Sequence, residues 1–85
     1  MSYDLKLLKA FADETRLNIV LNLMKKEMHV LEIVPLVNKS QPNISIALRK
    51  LQEADVISSR KEQRNVYYKI VNKEKISKIL ELVKK

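Results

Sequence analysis

Glycine is missing from all 85 residues, and so are cysteine and tryptophan. Glycine makes up about 7% of an average chain. Tight turns here must therefore fall to other residues that tolerate positive φ, chiefly Asn and Asp. The lack of glycine also excludes a glycine-rich phosphate loop. The lack of cysteine excludes disulfides and thiolate metal sites. There is one histidine, His29, and a lone imidazole needs companions to hold a metal. No catalytic constellation is present, since adjacent acids such as Asp13 and Glu14 are accounted for by helix capping. The chain is read as a non-enzyme with no cofactor and no metal. No run approaches 18 apolar residues, which excludes a spanning helix. The opening "MSYDLKLLKA" lacks the basic-then-apolar pattern of a leader, so a cytoplasmic protein is expected.

What is present is an excess of positive charge, and it is uneven. Net charge is +7. Residues 1–38 hold five basic and five acidic side chains, residues 39–69 hold seven and three, and residues 70–85 hold five and two. The excess begins at Lys39. A basic half suits a polyanion, most often nucleic acid. Hydrophobic residues make up 46%, enough for a folded chain. The length fits one domain, 1–85, with one modest core that dimerisation would extend.

Periodicity predicts the elements. In residues 3–12, Leu5, Leu8 and Ala12 recur at helical spacing with Phe11 beside them. Asp13 is a good N-cap for a second helix whose apolar face is Leu17, Val20, Leu21 and Met24, with Lys25 and Lys26 in its last turn. Arg16 is expected to pair locally or reach phosphate. "MHVLEIVPLVN" reads as a short extended piece near His29 and Val30, then a helix from about Glu32 to Val37. Pro35 would sit in its first turn, and Asn38 would close it in the left-handed region. Ser40 caps a fourth helix running to about Ala54, with Pro42 in its first turn and Asp55 closing it. "VISSRKEQRNVYYKI" predicts a hairpin with strands Val56–Arg60 and Val66–Ile70 around a charged tip. Tyr67 and Tyr68 should face opposite ways. Residues 73–84 put Ile76, Ile79, Leu80 and Val83 on one helical face. The third and fourth helices are joined by about three residues, the length of the turn in a helix-turn-helix. A hairpin directly after that pair makes a winged helix. The fold class is therefore mainly α with a β-hairpin, in the order α-α-α-α-β-β-α.

The fourth helix exposes an unusual set of residues. Ile44, Leu48 and Leu51 face inward. Gln41, Asn43, Ser45, Ile46 and Arg49 are left outside, where a merely solvated face would favour Glu and Lys. Gln and Asn pair with adenine edges, Arg with guanine, and Ser with several bases or a phosphate. Lys39, Ser40 and the helix N-terminus suit a phosphate. Ile46 fits either a thymine methyl or a protein surface. On the wing, Arg60, Lys61 and Arg64 are candidates for phosphate contact or for a narrow minor groove.

These stretches also carry a family likeness. "LKAFADETRLNIV" is similar to the L-x-A-L-A-D-P-T-R-L-x-I-L opening of the arsenic-repressor (ArsR/SmtB-type) transcriptional regulators. "SQPNISIALRKLQEADVI" resembles their S-Q-P-T-V-S-x-H-L-x-x-L-x-x-A-G-L-V segment, and "VYYKI" the V-Y-Y-x-L that ends their wing. The matches fall in order and cover nearly the whole chain. The resemblance implies a homodimeric winged helix-turn-helix repressor of double-stranded DNA. Its recognition helix would enter the major groove, and its first and last helices would form the dimer interface, here Leu5, Leu8, Ile76, Ile79, Leu80 and Val83. Three departures stand out. Where many members read E-L-C-V-C-D-L, this chain reads "EMHVLEI", with His29 and Leu31 at the cysteine positions. Its last helix offers only Glu74 and Glu81 where relatives carry Asp and His. Gln63 stands at the wing position where relatives have glycine. The alternatives are a winged helix that binds protein, favoured by Ile46, and a sequence-neutral DNA or chromatin binder.

Overall fold

The computed structural model describes residues 5–83, apart from the side chains of Lys6 and Val83. The elements are α1 (Leu5–Lys9), α2 (Glu14–Leu23), β1 (Met28–His29), α3 (Val30–Val37), α4 (Gln41–Glu53), β2 (Ile57–Glu62), β3 (Asn65–Ile70) and α5 (Lys73–Val83). The three strands form an antiparallel sheet in the order β1-β3-β2. The architecture is a helix-turn-helix, α3 and α4, followed by a wing.

α1 is shorter than its apolar spacing predicts. After Lys9 the chain continues through i to i−3 bonds from Ala10, Phe11 and Ala12. Its buried residues are Leu7, Ala10 and Phe11, while Leu5, Leu8 and Ala12 are exposed. Arg16 explains how α1 ends. Its Nε donates to the Ala10 carbonyl at 3.0 Å and its Nη2 to that of Lys9 at 3.1 Å, satisfying acceptors that a helix end leaves open. Asp13 caps α2 by accepting from the Arg16 N–H at 3.0 Å. α2 buries Ile19, Val20 and Leu23. Leu21 is exposed and Leu17 and Met24 are half-buried, so the inward face is turned from the predicted one. α2 also stops at Leu23, leaving Lys25 and Lys26 outside it.

α3 begins two residues earlier than predicted. His29 caps it: Nδ1 accepts from the Leu31 N–H at 3.3 Å, and Glu32 accepts from the His29 N–H at 3.1 Å. That reciprocal cap lets Val30 and Leu31 join the helix, which places Pro35 inside it rather than in its first turn. The Leu31 carbonyl loses its i+4 donor, but Leu31 and Pro35 are both exposed and solvent supplies one.

Positive φ falls where a glycine-free chain must place it: Asn38 (62°), Asp55 (61°) and Gln63 (58°). Asp55 closes α4. Its N–H bonds the Gln52 carbonyl, and the Val56 N–H bonds that of Leu51, both at 3.0 Å. These are the two bonds of a Schellman ending, and Leu51 and Val56 are both fully buried. Gln63 and Arg64 form a two-residue hairpin loop between the paired Glu62 and Asn65. Positive φ at the first loop position is the pattern of a type II′ turn, so the glycine position carries glycine's conformation. At the tip β2 extends two residues further than predicted and β3 one.

One core joins all the helices and the sheet. Its fully buried members include Ile19, Leu23, Ile33, Ile44, Leu48, Leu51, Ile57 and Ile79. Each contributes about 1.5–3 kcal/mol relative to exposure. α4 contributes Ile44, Ala47, Leu48 and Leu51, so it is held rigidly along its whole inner face.

Candidate nucleic-acid interface

The outer face of α4 is built by its first turn. Ser40 takes an extended conformation and its Oγ accepts from the Asn43 N–H at 3.3 Å. Pro42 then sits where its missing N–H leaves no gap. From this start Gln41, Asn43, Ser45, Ile46 and Arg49 are all exposed, as are Lys39 and Ser40. Ile46 is 46% exposed, so it points outward.

The structure sorts these residues into two flanks. On one, Gln41 and Ser45 share a groove of about 300 Å³ with Arg64 of the wing loop, and with His29 and Leu31 at the start of α3. On the other, Lys39, Asn43 and Ile46 line a concavity of about 280 Å³ with Thr15, Arg16 and Lys50. Lys50 and Thr15 were not anticipated. Lys50 lies four residues after Ile46 and seven after Asn43, so helical spacing pointed to it. Arg49, Lys61 and Arg64 have no ion-pair or hydrogen-bond partner among the described residues, so their charges are available to a ligand.

Arg60 is different, and here the expectation of phosphate contact meets a competing use. Its guanidinium forms a fork on Glu27, with Nε to Oε2 at 2.8 Å and Nη2 to Oε1 at 3.1 Å, and Nη1 donates to Glu62. Its carbon lies 4.9 Å from the centre of the Tyr67 ring. The Arg60 hydrogen bond holds the Glu27 carboxyl below the usual carboxylate range, and the Glu27 bond pushes Arg60 up in return. Glu27 lies 33 residues from Arg60, too far for a local pattern to pair them.

The expected dimer residues divide as well. Ile76, Ile79 and Leu80 are 2%, 0% and 8% exposed within the single chain. They are core residues with almost no surface left to give a partner, because α5 closes the core of its own chain. The Val83 side chain lies outside the described residues. Leu5 and Leu8 are exposed at 64% and 40%, and Leu82, not anticipated, at 60%.

The cysteine metal site of the relatives does not fit these residues. Its first position is His29, whose Nδ1 is engaged in the cap of α3, and its second is Leu31, which has no donor. Among the described residues no three His, Cys, Asp or Glu side chains gather as a metal-holding group. Among them, too, no helix is long and apolar enough to cross a membrane.

Residues 13–59 match the family model described as "Bacterial regulatory protein, arsR family". The chain belongs to the arsR family. It is 39% identical over 67 residues to the arsenical resistance operon repressor of Escherichia coli K12, a match covering 78% of this chain and 57% of that protein. The chain thus spans little more than half the length of that relative. Among solved structures, it is 33% identical to HlyU from Vibrio cholerae N16961, with a TM-score of 0.81 over 92% of this chain and 84% of that one. It is 26% identical to Mb0332 of Mycobacterium bovis, described as a homodimeric winged helix-turn-helix DNA-binding domain, with a TM-score of 0.81 over 93% and 72% of the two chains.

Proposed function

We propose that this arsR-family chain is a sequence-specific repressor that binds an inverted-repeat operator in double-stranded DNA as a homodimer, acting by binding and not by catalysis. The observation that carries the reading is the outer face of α4. Gln41, Asn43, Ser45 and Arg49 are exposed on a helix whose other face is locked in the core. Groups that read adenine and guanine edges stand on a rigid rod of the width a major groove admits. Lys39, Ser40, Lys61 and Arg64 supply the phosphate contacts around it. All 85 residues act as one DNA-binding domain, at the nucleoid in the cytoplasm.

The homodimer is supported by the exposed Leu5, Leu8 and Leu82 and by the homodimeric M. bovis relative. Its two recognition helices would enter successive major grooves, with half-sites roughly 34 Å apart. Ile46 favours one second reading, a protein partner seated on α4, because it is the one large apolar side chain on that face.

Titration of a labelled duplex at stepped salt tests the proposal. Affinity should fall steeply as salt rises, because each phosphate contact contributes about 0.9 to the log–log slope. Absence of binding at low salt would overturn it.

A further inference from the structure

Arg60, Tyr67 and His29 form one row across the sheet. Arg60 of β2 and His29 of β1 are both the register partners of Tyr67 on the central strand. Cross-strand partners share a face. The guanidinium lies over the Tyr67 ring, and the His29 ring meets it edge-on at 5.4 Å between centroids. Glu27 anchors one end of the row through its fork on Arg60, and Glu62, two residues along β2 on the same face, accepts from Nη1. His29 at the other end is the N-cap of α3. The row therefore ties the wing to the helix-turn-helix.

Alternation along β2 separates its two neighbouring cations. Successive side chains point to opposite faces. Ser59 bonds Gln52 of α4, so Ser59 and Lys61 share the face that carries the recognition helix. Arg60 and Glu62 share the other.

We propose that Arg60 is a positioning residue and not a DNA contact: with Glu27 it clamps the wing to the α2–β1 turn, and Lys61 and Arg64 are the cations that the clamped wing presents. This rests on the DNA-binding reading above and specifies how its wing is held. Two carboxylates already neutralise Arg60, so phosphate would have to displace them.

The test compares Glu27→Gln, Arg60→Ala and Arg60→Lys with the unaltered chain, using the duplex it enriches from a random pool. The clamp predicts that all three bind about two- to fivefold more weakly with an unchanged salt slope. Lysine fails to rescue because it lacks the planar fork. A phosphate-contacting Arg60 predicts the opposite set: Arg60→Ala lowers the slope by about 0.9, Arg60→Lys retains most affinity, and Glu27→Gln binds more tightly. That set overturns the proposal. Amide exchange of the free protein decides the clamp without DNA. Faster exchange across residues 60–66 in Glu27→Gln supports it, and unchanged exchange overturns it. A chain whose wing loosens in this way yet binds no duplex would overturn the DNA reading alone.

Discussion

Gln52 Nε2 donates a 3.0 Å hydrogen bond to Ser59 Oγ, and among the described residues this is the one side-chain hydrogen bond between the recognition helix and the wing. It spans the Schellman ending of α4, in which the Gln52 carbonyl takes part, so helix and first wing strand meet as one unit. Both residues are exposed, and water replaces either partner. Ser59→Ala is expected to lower stability by only about 0.5 kcal/mol, read as a small fall in the urea midpoint with no change in slope.

Arg49 sits on the outer face of α4 with no partner for its guanidinium among the described residues. If it reads a guanine, Arg49→Ala loses about 1–3 kcal/mol of affinity and relaxes preference at one base pair of each half-site. Competition between single-base operator variants measures this. An equal loss on every sequence would make Arg49 a phosphate contact.

Gln63 holds a φ of 58° with a side chain ill suited to it. A left-handed residue with a Cβ carries about 1–2 kcal/mol of steric cost, partly offset by the greater unfolded freedom of glycine. Gln63→Gly is expected to stabilise the chain by about 0.5–1 kcal/mol, measured by thermal and urea unfolding. Destabilisation would mean that the loop conformation differs.

The pH dependence follows from the Glu27–Arg60 pair. Glu27 has a lowered carboxyl in the folded chain. Its contribution is therefore complete above the ordinary carboxylate range and is lost as pH falls through that range to the lowered folded value. Arg60 is raised, so its contribution is complete below the ordinary arginine range and is lost only in extreme alkali. Between neutral and mildly alkaline pH neither changes. Glu27→Gln should flatten the acid limb of the stability profile and leave the neutral plateau level, as followed by unfolding at stepped pH.

Much of this arrangement was legible in the sequence because it is local. Asp13, Ser40, Asn38 and Asp55 mark helix ends by chemistry acting within four residues. The inward face of α4 follows from the spacing of Ile44, Leu48 and Leu51. What escaped was either rotational or distant. α1 and α2 carry apolar residues on more than one side, so spacing alone chose the wrong face, and tertiary packing selected Leu7 and Leu23. The extended piece near His29 was legible, but its pairing with β3, about 40 residues away, leaves no local signal. The pairing of Arg60 was hidden because its nearest neighbours in the chain are basic, while the carboxylate that holds it, Glu27, lies across the fold. Ile76, Ile79 and Leu80 read as an interface because helical spacing shows that a face is buried but not what buries it.

Leu5, Leu8 and Leu82 are the exposed apolar residues of the terminal helices that remain for a partner. Leu8→Glu combined with Leu82→Glu should dissociate the dimer, since two charges would be buried unpaired at the contact. Sedimentation at micromolar concentration is expected to give twice the 10.0 kDa chain mass for the unaltered chain and the single mass for the variant. A 10.0 kDa species from the unaltered chain would remove the dimer from the account.

Selection of bound duplexes from a random pool at near-physiological salt tests the central claim most directly. The account predicts enrichment of an imperfect inverted repeat with half-sites about one helical turn apart. Binding without enrichment would contradict sequence-specific recognition by α4, and no binding at all would contradict DNA as the partner and direct attention to Ile46.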